Sequence, residues 1–183
     1  MKKLVIITFL LLSICSQSQT YIKGNAITAL ALIPNVGIET SIGKKSTFQF
    51  DIMASFWSSI DGRPREFYTF TSEYRYHFHK KNEGIYIGGH IGASFFNVQK
   101  LDKINTDFYE VGLGYFIGAT IGYEKKLNDR FMLDVFLGGG NHQAFYKDYS
   151  LTTGERVDKA KDYNKSGEWL PYRGGVMVSY RIN

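Results

Sequence analysis

Eight charged residues recur at alternate positions of segments that read as strands: Glu39, Asp51, Glu73, Arg75, Glu110, Glu124, Asp134 and Arg181. Groups of these types, gathered on one face, can relay protons, hold a ligand or neutralise one another. Inside a narrow eight-stranded barrel there is room only for side chains, and buried charges must be paired and hydrogen-bonded. The expectation is a structural lumen network of Glu39, Asp51, Glu73, Arg75, Asp134 and Arg181. Carboxylates outnumber arginines in it, an excess that His90, Tyr86 or water would have to absorb.

The histidines His77, His79, His90 and His142 lack helical or hairpin ligand spacing, so neither a metal nor a cofactor is expected. A hydrolase acting on membrane lipid would need Ser, His and a carboxylate together. Ser94 with His90 or His142 is the nearest approximation. Gly112-Leu113-Gly114 lacks the third glycine and the helix of a nucleotide loop. The lysines fall in turns without an aromatic platform, which argues against nucleic acid. The remaining candidate for binding is the polar stretch from about 146 to 170, with Tyr149, Arg156, Tyr163 and Trp169 as its recognition residues.

The elements that position these groups are read most easily from Tyr109 to Glu124. Every second residue, Tyr109 through Tyr123, is apolar or aromatic, and those between are mostly glycine with a carboxylate at each end. Period two over such a length is a long strand, apolar on one side and polar on the other. Lipid outside and a polar lumen inside would require that division. The glycine face would leave room for Tyr86, Arg75 and Arg181.

Eight strands follow from the same alternation: 25–33, 36–42, 47–56, 65–78, 85–96, 109–124, 131–145 and 171–182. The expected fold is an all-β, eight-stranded, antiparallel up-and-down transmembrane barrel. Short connections alternate with longer ones at 57–64, 97–108 and 146–170, as in barrels with tight periplasmic turns and external loops. Three short turns carry Lys44-Lys45, Lys80-Lys81 and Lys125-Lys126, on one rim where anionic head groups would lie. Aromatics gather in two belts: Phe48, Tyr76, Phe78, Tyr123, Phe131 and Tyr180 near the turns, and Phe56, Trp57, Tyr68, Phe95, Tyr109, Phe145, Trp169 and Tyr172 near the loops.

Composition agrees with this reading. The chain has 183 residues, 16% of them aromatic, with Gly 19 and Pro 3, and no apolar run long enough for a membrane helix follows residue 18. Residues 1–18, with a dibasic start and an apolar run from Leu4 to Ile14, read as a secretory signal cleaved after Ser18, leaving 19–183 as the barrel domain. A lipoprotein signal at Cys15 is disfavoured by the bulky Ile14. Loss of the leader removes the only Cys, and with it disulfide and thiolate chemistry.

Ile33-Pro34-Asn35-Val36-Gly37-Ile38-Glu39 resembles the Thr-Pro-Asn-Leu-Gly-Val-Glu signature of the small outer-membrane β-barrel proteins of Bacteroidetes, a family known as a domain of unknown function. Glu73-Tyr74-Arg75-Tyr76-His77-Phe78 is similar to its Glu-Leu-Arg-Tyr-Trp-Phe segment, and Gly89-His90 to its fifth-strand glycine and histidine. His77 departs from the usual Trp, and the last loop lacks the cysteine pair of some members. The resemblance implies an outer-membrane barrel with periplasmic termini in a Gram-negative cell, and no established activity. The expected role is structural or surface-interacting, without catalysis. Outer-membrane lipids and lipopolysaccharide would surround it, the barrel-insertion machinery would assemble it, and an extracellular or envelope protein would be its partner. The alternatives are a lipid-modifying enzyme and a soluble periplasmic barrel binding a small ligand.

Overall fold

The computed structural model describes residues 19–157 and 159–183; the leader read at residues 1–18 lies outside them. Eight strands form one antiparallel sheet: β1 (Thr20–Asn25), β2 (Asn35–Ser41), β3 (Ser46–Ile60), β4 (Arg63–His77), β5 (Gly84–Val98), β6 (Phe108–Lys126), β7 (Phe131–Ser150) and β8 (Asn164–Arg181). Each pairs with its sequence neighbour, and β1 also pairs with β8, from Tyr21↔Arg181 to Asn25↔Met177, so the sheet closes into a barrel. Among the described residues, helix is limited to α1 (Ala26–Leu30) and a 3-10 turn at Leu101–Lys103, and no helix is long and apolar enough to cross a membrane.

The alternation read from sequence sets the faces. On β6, Glu110, Phe116, Thr120 and Glu124 are buried while Val111, Leu113, Tyr115, Ile117, Ile121 and Tyr123 are exposed. The whole molecule repeats this inversion of a water-soluble core. Among the described residues, the buried side chains are mostly polar or charged, the clustered apolar core is only Tyr86, Phe136 and Met177, and large apolar side chains cover the outside on every strand.

Four differences from the sequence reading have local causes. The expected strand over 25–33 is instead the end of β1 followed by α1. Asn25 caps that helix by accepting from the Ile27 N–H at 3.2 Å, and the Ala-rich run supports the turn. The helix closes with Ile33 N–H to Thr28 O and Leu32 N–H to Ala29 O, both 2.9 Å, a Schellman arrangement that puts Leu32 at φ 56°. Second, 57–64 is no loop: β3 and β4 run on to a two-residue turn at Asp61 and Gly62, with φ 53° and 77°. Both values are positive, as a type I′ hairpin requires. Third, β7 and β8 extend past the expected ends, so the long connection shrinks to residues 151–163. Fourth, the β7–β8 register shifts between Gly138 and Gly140, and the irregularity turns Tyr172 toward the lumen, away from the outer belt in which its spacing had placed it.

The strands are unequal in height. β1 and β2 have 6 and 7 residues where β6 and β7 have 19 and 20. Above the short hairpin, β3 and β8 have no strand between them, and α1 lies against β8 in that sector. Trp57 Nε1 donates to Ala31 O at 3.2 Å, tying the end of α1 to β3.

Candidate functional site

The lumen is layered, and the lowest layer lies near the tight turns. Glu124 and Asp134 face each other across β6 and β7, a like-charge pair that is destabilising unless bridged. Lys23, from β1, bridges them, with Nζ 3.1 Å from Glu124, 2.6 Å from Asp134 and 2.5 Å from Glu39. Arg75 Nη1 reaches the same three carboxylates at 2.9–3.2 Å, and its Nε and Nη2 hold Glu73 at 3.0 and 2.9 Å. Arg173 Nη2 then links Glu73 at 3.0 Å to Asp51 at 3.1 Å. Neutral donors complete the layer: Tyr86 OH to Asp134, Thr47 Oγ1 to Glu39 and Gln49 Nε2 to Asp51. His77 Nε2 lies 2.9 Å from Glu124.

Of the six residues read as the lumen network, Glu39, Asp51, Glu73, Arg75 and Asp134 meet here. Arg181 does not: it lies at the rim, past the last paired carboxylate, and its Nε donates to Asn183 O at 2.8 Å. The cations that sequence reading missed are Lys23 and Arg173. Lys23 falls outside the first expected strand, which begins at residue 25, whereas β1 begins five residues earlier at Thr20. Arg173 was obscured because the register irregularity breaks simple alternation. Together they neutralise most of the carboxylate excess, with Tyr86 but without His90.

The motif at residues 33–39 acquires a physical meaning here. Asn35 donates from Nδ2 to Asp51 Oδ1 at 3.2 Å, and Glu39 enters the network. Gly37 lies so close to β3 that a Cβ there would stand 2.8 Å from that of Asp51. In β4, the alternation of Glu73, Arg75 and His77 puts all three inside. Residues 3–182 match the model of a family described as "Protein of unknown function (DUF3575)". The chain belongs to that family. No curated protein matches it.

In this member of the family, the middle layer is made of rings and hydroxyls. His90 Nδ1 is 3.0 Å from Thr120 Oγ1, and its Nε2 is 2.7 Å from Tyr172 OH. Ser94 Oγ is 2.8 Å from His142 Nε2, and Phe116 packs against Tyr172 with ring centroids 4.8 Å apart. A cavity of about 430 Å³ lies beside these groups, lined by Asn35, Asp51, Thr69, Thr71, Phe136 and Arg173 among others. Side chains therefore fill the lower lumen, and the middle retains space.

The uppermost layer repeats the device of the lowest. Glu110 and Asp148 are cross-strand neighbours, and Lys103, from the 3-10 turn, bridges them at 2.8 and 2.5 Å. Lys100 joins Glu110 at 3.3 Å to Glu168 at 2.8 Å. Burial pulls the Lys103 ammonium toward neutrality, but Asp148 and Glu110 outweigh it and raise its pKa. Outside this layer, Asp107 accepts from the Ser150 and Thr152 hydroxyls and the Thr152 N–H, which lowers its pKa.

The four residues read as a recognition loop are spread over β7, the connection and β8, with Tyr149 and Arg156 paired by a single bridge. Tyr149 is in β7 and stacks on Tyr109 at 5.7 Å. Tyr163 packs edge-on to Phe145, and Arg156 donates to the carbonyls of Lys161 and Asp162. Trp169, within β8, is 80% exposed.

Among the described residues, Glu39, His77 and Glu124 place possible metal-ligand atoms within 4.8 Å of one another. Lys23 and Arg75 already occupy both carboxylates, so a metal would have to displace two bonded cations.

Proposed function

We propose that this chain is an outer-membrane β-barrel of a Gram-negative envelope, closed to ions by its charged lumen and serving a structural or surface-interaction role without catalysis. The observation that carries the reading is the inversion of polarity: a charged, hydrogen-bonded interior enclosed by apolar side chains on every strand. Water-soluble monomers rarely expose so continuous an apolar surface. Where β1 and β2 are too short for the roughly 9–11 residues that cross a bilayer, exposed Ile27, Leu30 and Leu32 continue the apolar band. Leu32 supports the reading further. It is 67% exposed in a left-handed conformation that glycine adopts more easily, and lipid gives its side chain a favourable contact. The leader, the periplasmic termini and the basic turn rim facing anionic head groups belong to the same reading.

Purified protein in planar bilayers should give negligible conductance, because Lys23, Arg75 and Arg173 tie the carboxylates of several strands together across the lumen. A stable large-pore conductance would overturn the closed-lumen reading.

The Ser94–His142 hydrogen bond favours a second reading, a lipid-modifying enzyme. Glu168 stands opposite His142 in register, but its carboxylate is engaged by Lys100. Unchanged envelope lipids in a His90→Ala, His142→Ala double mutant would count against that enzyme.

A further inference from the structure

The 430 Å³ cavity lies between two charge layers and reaches the side of the barrel. Its lining begins at lumenal Asp51, Thr69, Thr71 and Ser94 and ends at Thr28, Leu170 and Leu137. Leu137 is an outward residue, 62% exposed. This is the sector where β1 and β2 stop short and α1 stands in place of strand. Leu137 also borders an outer apolar groove between Tyr74, Tyr76 and Ile121, which is open because Gly89 and Ala119 contribute so little bulk.

We propose that this cavity binds one neutral single-chain amphiphile, admitted from the bilayer beside α1, with its polar head in the lumen and its acyl chain leaving past Leu137. The proposal rests on the outer-membrane reading above. Its volume falls in the range of small-molecule sites. The chemistry of the head follows from Arg173, whose side chain is 8% exposed. Its Nη2 is committed to Asp51 and Glu73, whereas Nε and Nη1 are buried without an acceptor. Ester or hydroxyl oxygens would accept from those N–H groups and from the Thr69 and Thr71 hydroxyls. An anionic head is disfavoured. Among the described residues of the lower layer, the carboxylates Glu39, Asp51, Glu73, Glu124 and Asp134 outnumber the cations Lys23, Arg75 and Arg173, and another negative charge would meet that field. Met53, Phe136 and Leu170 supply the apolar wall.

The test uses the full mature chain in lipid bilayers and a monoacylglycerol carrying a diazirine in its acyl chain. Crosslinks should appear at Met53 or Leu170, be competed by unlabelled monoacylglycerol and resist competition by the fatty-acid anion of equal length. Thr69→Trp, which fills the cavity without touching the charge network, should abolish that label. Arg173→Lys, which keeps the cation beside Asp51 and Glu73, should weaken it. Labelling of outward Tyr115 and Ile117 should persist in both variants and reports on the membrane reading separately. Label on outward residues alone, label that survives Thr69→Trp, or preference for the anion would overturn the cavity proposal. Absence of outward label would overturn the membrane reading instead.

Discussion

Lys23 sets one ammonium among three buried carboxylates. Removing one partner from a buried charge cluster typically costs about 3–5 kcal/mol, because the opposite charges are left uncompensated. Lys23→Met should therefore lower the urea midpoint for unfolding by that equivalent, and an unchanged midpoint would mean that Arg75 alone suffices. Glycine offers a second contrast at this scale. A Cβ on Gly118 would collide with the Gly139 carbonyl and stand 2.6 Å from Tyr172 OH, whereas Gly89 has nothing within 4 Å. Gly118→Trp should block assembly and Gly89→Ala should leave it intact, as judged by the yield of folded barrel. The glycine face of β6 was legible in sequence as room for bulky neighbours. Its occupants were less so: Tyr86 lies over Gly122 as expected, but His142 and Tyr172 take the places given to Arg75 and Arg181.

At the scale of elements, strand existence and face were legible because period two holds over most of β2 to β7, where Glu39, Asp51, Glu73 and Asp134 all point inward as read. What failed were ends and irregularities. The Asn25 cap, the Asp61-Gly62 turn and the β7–β8 register shift depend on short-range geometry that alternation does not encode. The loop-end contacts add a pH dependence. Asp107 is ionised when it accepts from Ser150 and Thr152, and these hydrogen bonds hold its carboxyl below the usual aspartate value. A depressed carboxylate contributes stability above its unfolded pKa and loses it as pH falls through the folded value. Amide exchange at Thr152 should thus quicken when the carboxylate is protonated in strong acid. Asp107→Asn should give the faster exchange already at neutral pH, and unaltered exchange in that variant would show that the contact does not order the loop.

At the scale of the whole molecule, one physical arrangement accounts for composition and fold together. Aromatic and aliphatic residues face outward, carboxylates face inward, and cations bridge them near both ends of the lumen, from distant strands at one end and from the 3-10 turn and its cap at the other. Closure of the sheet was legible because the strands alternate throughout and leave no separate core to bury. The cavity in the middle was not, since it arises where β1 and β2 stop short of the other strands and from the redirected Tyr172. The central claim, a barrel with lipid outside and a charged lumen within, is tested most directly by cell fractionation followed by a gel of heated and unheated samples. The protein should sediment with the outer membrane, and the unheated form should migrate differently from the boiled one. Recovery of the native protein from the soluble periplasmic fraction without detergent would contradict it.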